Sequence, residues 1–461
     1  MLRLFNHHVP AALLLLGLIE FALLFNAAEL AWQVRAAQID SGMSRFGSRL
    51  PQLLVFAAVV WTSMLAVGVY HTHSYRSLRV SATRMVVAVA TAILVLAALF
   101  YFVPGVSLWR SISIYALLFG FVLVLVWRYV FLRVVGLDNF RRRVMILGAG
   151  SRASRVAALA RQPGASFETV CFVRMTDATP QVEGAIARAE LPSMSEVATR
   201  ERLDEVVVAI EERRGALPMD DLLQVRIAGV PVTDFSTFIE RETGRVDLEF
   251  TRPSWLIFSD GFLGGKRLTA VGKRLFDVSV SMLLLVMTSP LQLLAALAVK
   301  ATSRGPVFYT QERVGQFGRT FRVVKFRSMT VDAEKHGPQF ASKNDTRVTP
   351  VGRFIRLTRI DEIPQIYCVL KGEMSFIGPR PERPVFVRQL AAEIPYYNER
   401  HVVKPGITGW AQINYPYGAT VEDARAKLEY DLYYIKNYSL FLDILILIQT
   451  VRVVLWQDGS R

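Results

Sequence analysis

Cysteine is nearly absent: Cys171 and Cys368 are the only two in 461 residues. They lie far apart and without metal-ligand spacing, which excludes a disulfide scaffold and a zinc site and fits a reducing cytosolic setting for the soluble parts. Charged residues are also scarce, 20% against 52% apolar, with a mean hydropathy of +0.31. That balance excludes intrinsic disorder and disfavours a wholly soluble enzyme. Acidic residues fall short of basic ones, 39 against 54, and the surplus of +15 calls for an anionic partner such as nucleic acid, phospholipid headgroups or phosphorylated substrates. Repeats and low-complexity tracts are missing too. The length is about three times the commonest domain size, so several domains are expected.

The apolar residues are gathered into runs. Residues 9–28, 50–70, 85–103 and 112–135 each approach the ~20 residues a helix needs to cross a bilayer. Glu20 inside the first run argues for an uncleaved anchor over a signal peptide and is expected to face other helices. Arg3, Arg76, Arg79, Arg84, Arg133 and Arg141-Arg142-Arg143 fall on one side of these spans; Arg35, Arg45, Arg49 and Arg110 fall on the other. The bias puts the N-terminus and everything after Arg141 in the cytoplasm.

From Arg143 the composition becomes that of an α/β domain, with strands expected at 144–147, 168–173, 205–210 and 230–234. Gly148-Ala149-Gly150-Ser151-Arg152-Ala153 is like the first turn of a dinucleotide-binding unit. No acidic residue sits clearly at the end of the second strand, because Glu168 begins that strand. A turn that merely packs a helix on a sheet is therefore the favoured reading. Residues 251–265 read as a linker.

A fifth apolar run, 275–299, has the length of a transmembrane helix. Ser289-Pro290 at its middle and basic clusters at both ends (Arg267, Lys273, Arg274; Lys300, Arg304, Arg313, Arg319) argue instead for a break that dips into one leaflet and returns. The last apolar run, 440–456, carries Asp443, Gln449 and Arg452 and reads as an interfacial helix.

Chemistry concentrates after this point. Between Arg304 and Arg359 lie 12 Lys or Arg and 4 Asp or Glu, which is +8 of the chain's +15. Recognised nucleic-acid motifs are missing, so a membrane-surface patch or a phosphate pocket remains. Asp361 and Glu362 are adjacent carboxylates between Arg356, Arg359 and Pro364. On a helix they diverge by about 100° and so can serve different partners, one attacking an electrophile and the other binding a metal. Nearby guanidinium groups are expected to keep Asp361 ionised. An ordinary helix-start pair fits the same spacing. Gly378-Pro379-Arg380-Pro381 is a rigid turn that presents an arginine, and Lys404-Pro405-Gly406-Ile407-Thr408-Gly409-Trp410 is a second stiff loop.

Together these pieces resemble the bacterial sugar transferase family, the polyprenyl-phosphate sugar-1-phosphate transferases that start exopolysaccharide and O-antigen assembly. The motifs are Lys325-Phe326-Arg327-Ser328-Met329, the block 358–378 around Asp361-Glu362, the Pro-Arg-Pro turn and the Pro-Gly-Ile-Thr-Gly-Trp loop. The resemblance covers about 273–456, and Ser289-Pro290 corresponds to the family's re-entrant helix break. It implies a membrane protein: four N-terminal transmembrane helices (1–140), a Rossmann-like α/β domain (141–250), a linker (251–270) and an α/β monotopic catalytic domain (271–461) with a re-entrant helix at 275–299. It also implies that Asp361 takes a phosphosugar from a UDP-sugar, releasing UMP, and passes it to undecaprenyl phosphate. Glu362 would hold Mg²⁺. Arg356 and Arg380, with Lys325, Arg327 and Lys404, would bind phosphates. The setting implied is the bacterial inner membrane, multi-pass, with the catalytic part cytoplasmic against membrane lipids, no nucleic acid, and a homodimer as the suggested assembly. Two other readings compete: an NAD-dependent oxidoreductase or epimerase, for which no Tyr-x-x-x-Lys pair is found near the glycine turn, and a non-enzymatic membrane scaffold, which leaves Asp361-Glu362 unexplained.

Overall fold

The computed structural model describes residues 2–4, 7–9, 11–39, 46–70, 78–135, 141–162, 164–176, 179–211, 217–250, 267–330, 347–416, 418 and 420–456. The expected linker 251–265 lies outside the described residues. The chain divides into two compact units near Gly244 and Arg245.

The first unit opens with four long apolar helices, Ala11–Gln38, Phe46–Ala66, Leu78–Phe102 and Arg110–Val130, close to the expected runs. Each is long and apolar enough to cross a bilayer. Glu20 is fully buried and faces its neighbours, as its cost in lipid requires. Arg128 grips it with two guanidinium nitrogens at 2.6 and 2.9 Å, and Tyr70 donates its hydroxyl to the same carboxylate. Arg128 also reaches Ser81 Oγ and the Val69 carbonyl, so the pair is embedded in a hydrogen-bonded set. Such a pair is worth little against an apolar replacement of both partners, but removing one leaves a naked buried charge.

The same unit continues as a five-stranded, wholly parallel sheet. Its order is Ala185–Ala187, Phe167–Arg174, Arg142–Leu147, Glu205–Val208, Val232–Asp234. The central strands are apolar on both faces because helices cover both, which is why they read as continuous Val/Ile/Leu runs. The three-residue edge strand Ala185–Ala187 has no apolar run to announce it.

The second unit begins with the helix Arg267–Thr302. At Ser289-Pro290 the helix does not unwind: Pro290 sits inside it, where a proline kinks a helix without ending it. Proline lacks the N–H that would bond the carbonyl four residues back, Val286 O. Ser289 Oγ donates to that carbonyl at 2.8 Å and supplies the missing bond. The N-terminal half is fastened by Arg274 to the carbonyls of Val369 and Leu370, and by Asp277, which accepts from Ser375 Oγ and Phe376 N. At the other end Val299 is buried with Phe326, Ile355 and Ile360. Between these anchorages Val286, Met287, Leu293 and Leu294 are exposed.

The hairpin Phe308–Val314 with Thr320–Phe326, the helices Pro350–Leu357 and Ile366–Lys371, and the short parallel pair Ser375–Ile377 with Gly406–Thr408 follow. Two further helices, Val421–Lys436 and Leu440–Trp456, complete the main core with Tyr433, Tyr434, Leu442 and Ile446. The charged residues of the last helix do not make a wet face. Asp443 and Arg452 point inward, Asp443 to Lys273 at 2.7 Å and Arg452 to the Ile413 carbonyl at 2.7 Å, while Leu440 and Ile444 are exposed.

Arg128→Met alone should destabilise the helical bundle by about 3–5 kcal/mol, and Glu20→Leu added to it should restore most of that loss. Thermal unfolding in detergent checks this; a double variant no better than the single one would disprove the pairing.

Candidate active site

Asp361 and Glu362 lie on a tight helical turn, Ile360–Gln365, entered through Arg359 at φ 59°. A non-glycine residue in the left-handed region is held there against a cost of roughly 1 kcal/mol or more by its surroundings. The turn packs against the strand Thr320–Phe326, which brings Lys325 to it. Lys325 Nζ donates to Glu362 Oε1 at 2.8 Å, and Arg380 Nη2 donates to the same oxygen at 2.7 Å. The lysine, the acid and the Pro-Arg-Pro arginine, separate in sequence, form one cluster.

Arg380 is positioned from two directions. Its loop pairs with the Gly406–Thr408 strand so closely that a Cβ on Gly378 would lie 2.3 Å from the Lys404 carbonyl, and one on Gly406 2.1 Å from Gly378 N. The two stiff loops therefore interlock backbone to backbone, and only glycine permits it. From behind, buried Arg400 donates to the Arg380 carbonyl at 3.1 Å and to Asp431 Oδ2 at 2.7 Å. Arg400, Asp431 and Tyr397 had no sequence signal beyond being polar; burial reveals them.

The two carboxylates differ in environment. Burial pushes Glu362 up, but the charges and hydrogen bonds of Arg380 and Lys325 outweigh it and hold the acid well below the usual carboxylate range. For Asp361, burial and then the Glu362 charge push the pKa up to about 6, against Lys325, Arg356 and Arg359. The expectation that guanidinium groups set its state is thus corrected: desolvation is the larger effect, and among the described residues no cation bonds to this carboxylate. Its Oδ1 is buried without a hydrogen-bond partner. A pKa of about 6 leaves the ionised form favoured at pH 7. The result is an ionised, unsolvated oxygen beside a cation-rich cluster.

Other expected phosphate binders separate. Arg356 ends the helix Pro350–Leu357 and acts on Asp361 through its charge. Arg327 is corrected: it is 6% exposed, and its guanidinium donates to Ser303 O, Ser303 Oγ and Arg304 O, tying down the end of the long helix. Carbonyls at a helix end need donors, and Arg327 supplies them. Lys404 is placed with another group of charges: its ammonium lies toward Gly372, and desolvation and the charges of Arg274, Asp277 and Lys273 act on it.

Beside Glu362 and Arg380 opens a cavity of about 380 Å³. Arg359, Glu382 and Lys427 make one part of its wall polar, while Leu284, Ile366, Ile413 and Val453 make another apolar. Leu284 and Thr288 belong to the long helix, so the cavity reaches that helix's apolar stretch. Among the described residues no group of three or more His, Cys, Asp and Glu side chains forms a metal site. Mg²⁺ commonly takes only one or two protein carboxylates and fills its shell with water and substrate phosphate oxygens. Glu362 alone meets that smaller demand, with its Oε1 already accepting from Lys325 and Arg380.

Because the folded pKa of Asp361 (about 6) exceeds its ordinary 3.8, ionising it costs stability. The cost is nil below the lower value and grows as pH rises through the higher one. Asp361→Asn should therefore raise the melting temperature at pH 7.5, by roughly 2 °C or more, and the gain should vanish near pH 4. Arg327→Ala should instead lower stability by roughly 2–4 kcal/mol, since it strands helix-end carbonyls. Melting curves of both variants across pH check the pair.

Residues 268–457 match the family described as bacterial sugar transferase, and residues 65–223 match one described as a CoA-binding domain. The chain is 46% identical over 240 residues to the UDP-N-acetylgalactosamine-undecaprenyl-phosphate N-acetylgalactosaminephosphotransferase of Aeromonas hydrophila, covering 52% of this chain and 56% of that one. It is 49% identical over 183 residues to the UDP-glucose:undecaprenyl-phosphate glucose-1-phosphate transferase of Klebsiella pneumoniae, covering 39% of each. The matched segment thus spans about half or less of these two relatives. Against the uncharacterized sugar transferase EpsL of Bacillus subtilis the identity is 42% over 193 residues, covering 41% of this chain and 90% of that protein. With nine-tenths of that protein matched, the chain belongs to the bacterial sugar transferase family.

Proposed function

We propose that the chain transfers a sugar-1-phosphate from a UDP-sugar to undecaprenyl phosphate, giving undecaprenyl-diphosphate-sugar and UMP, as the first membrane step of exopolysaccharide or O-antigen synthesis. The observation that carries this reading is the bare Oδ1 of Asp361 next to the Lys325–Glu362–Arg380 cluster. A carboxylate without hydrogen bonds is a better nucleophile than a solvated one. Asp361 attacks the β-phosphorus, the bond from that phosphorus to the UMP oxygen breaks, and UMP leaves with the electron pair. A phosphate oxygen of the lipid then attacks the phosphorus held on Asp361, and the bond to the carboxylate breaks and frees it. Arg380 and Arg356 bear on the diphosphate, with Lys325 behind Glu362. Mg²⁺ held by Glu362 would neutralise charge on the diphosphate as UMP departs. Splitting one displacement into two lets a soluble donor and a lipid acceptor use one site in turn.

The membrane arrangement belongs to the same proposal. The four N-terminal helices span the inner membrane, and the catalytic unit is cytoplasmic. The helix Arg267–Thr302 enters one leaflet and returns. Its fastening at both ends to the same unit supports this, because the ends of a crossing helix would be parted by ~30 Å of hydrocarbon. The chain assembles as a homodimer through its N-terminal half. Glucose and galactose are the favoured sugars, with N-acetylated ones close behind; the names of the Klebsiella and Aeromonas relatives support both classes.

Purified protein given a panel of UDP-sugars, Mg²⁺ and undecaprenyl phosphate should release UMP, and Asp361→Asn should lower that rate by about 10³-fold or more. UDP as product would replace this mechanism with ordinary glycosyl transfer. Mass spectrometry of the peptide bearing Asp361 should find a phosphosugar adduct when donor is present and acceptor withheld. Because the nucleophile must be ionised, kcat/KM should fall tenfold per pH unit below about 6; a flat profile down to pH 5 would count against Asp361 as the attacking group.

A further inference from the structure

The glycine turn of the parallel-sheet domain has no part in the proposed transfer, and its surroundings account for Gly148, Gly150, Ser151, Arg152 and Ala153. The helix Ser151–Ala160 begins where the N–H groups of a nucleotide fold would meet a pyrophosphate. Here a carboxylate meets them: Glu211 Oε1 accepts from Ser151 N at 2.7 Å and from Ser151 Oγ at 2.6 Å. These bonds hold the Glu211 carboxyl below its ordinary range. A Cβ on Gly150 would lie 2.4 Å from that same oxygen, so this glycine makes room for the chain's own acid. Gly148, at φ +136°, would with a Cβ come within 2.6 Å of the Ala209 carbonyl; its need is the close approach of the neighbouring strand. Arg152 is buried, donates to the Ile210 carbonyl at 3.1 Å and lies over the Phe235 ring. Ala153 is fully buried. Glu168, the residue nearest in spacing to a ribose-binding acid, pairs with Arg143 at the start of the first strand, the end opposite the turn.

We propose that the Glu211 carboxylate is the built-in anion of this domain. It fills the phosphate position of the turn and closes the domain to nucleotide and CoA pyrophosphates. Two negative groups cannot share one helix N-terminus, since the dipole and N–H groups that attract the first are neutralised by it. The assignment accounts for how a nucleotide-like turn persists in a chain whose reaction takes place elsewhere, and it is independent of the transfer reaction.

The test uses the full chain in detergent and titrates inorganic pyrophosphate, CoA and NAD⁺ by calorimetry. Wild type should show no saturable binding of CoA or NAD⁺. Glu211→Gln, which keeps size and loses charge, should bind pyrophosphate at least tenfold more tightly than wild type. Any pyrophosphate taken by the catalytic cluster is common to both proteins and cancels in the comparison. Proline is tolerated in the first helical turn, so Ser151→Pro on top of Glu211→Gln removes the N–H and hydroxyl without breaking the helix, and should return binding to the wild-type level. Saturable binding of CoA or NAD⁺ by wild type would overturn the proposal. So would equal pyrophosphate affinity in wild type and Glu211→Gln, or a gain that survives Ser151→Pro.

Discussion

One carboxylate oxygen organises the catalytic unit: Glu362 Oε1, shared by Lys325 and Arg380. Three chain segments that are otherwise independent, the hairpin, the acidic turn and the Pro-Arg-Pro loop, are locked together by these two contacts. The effect on the neighbouring acid is as important as the lock itself. With both cations directed to Glu362, no cation among the described residues bonds Asp361, and burial then sets that group's properties. Two adjacent residues of nearly identical chemistry acquire opposite shifts because one is paired and the other is only surrounded. Such divergence is the usual way a protein divides labour between two acids.

The lock depends in turn on a buried scaffold. Arg400 is held by Asp431 and Tyr397 and presses on the carbonyl of Arg380. On the far side, Lys273, Asp443 and Tyr434 join the start of the long helix to the last helix and to the Ile377 carbonyl, just before the Gly378 turn. Arg400, Asp431, Lys273, Asp443 and Tyr434 each bond a partner on another element, so the site is fixed by a network that reaches through the core.

Much of this was legible in the sequence, and the reasons are specific. The four apolar runs show at once because a bilayer demands ~20 residues of one kind. The parallel strands show because sheets covered on both faces are apolar throughout. Asp361-Glu362, Lys325 and Arg380 stand out through their motifs. What stayed hidden is orientation. Arg327 and Arg380 look alike in sequence, yet one faces helix-end carbonyls and the other faces the cavity. Asp443 and Arg452 suggest a wet face for the final helix, whereas both are directed into protein. Arg400 and Asp431 are invisible because a buried ion pair has the same composition as a surface one. Proline at position 290 signals an interruption, and the adjacent serine, which removes it, carries no pattern of its own.

That serine has a wider meaning. A carbonyl left bare in hydrocarbon attracts water, and water threading toward it would wet the apolar stretch on either side. Ser289 closes this leak from within the same helix, using a hydroxyl carried by the residue just before the proline. In the proposed re-entrant arrangement, a bend at Pro290 can therefore sit at any depth the neighbouring leucines prefer, free of the need for a partner helix or a trapped solvent molecule. Dryness at Pro290 is then a property of two consecutive side chains.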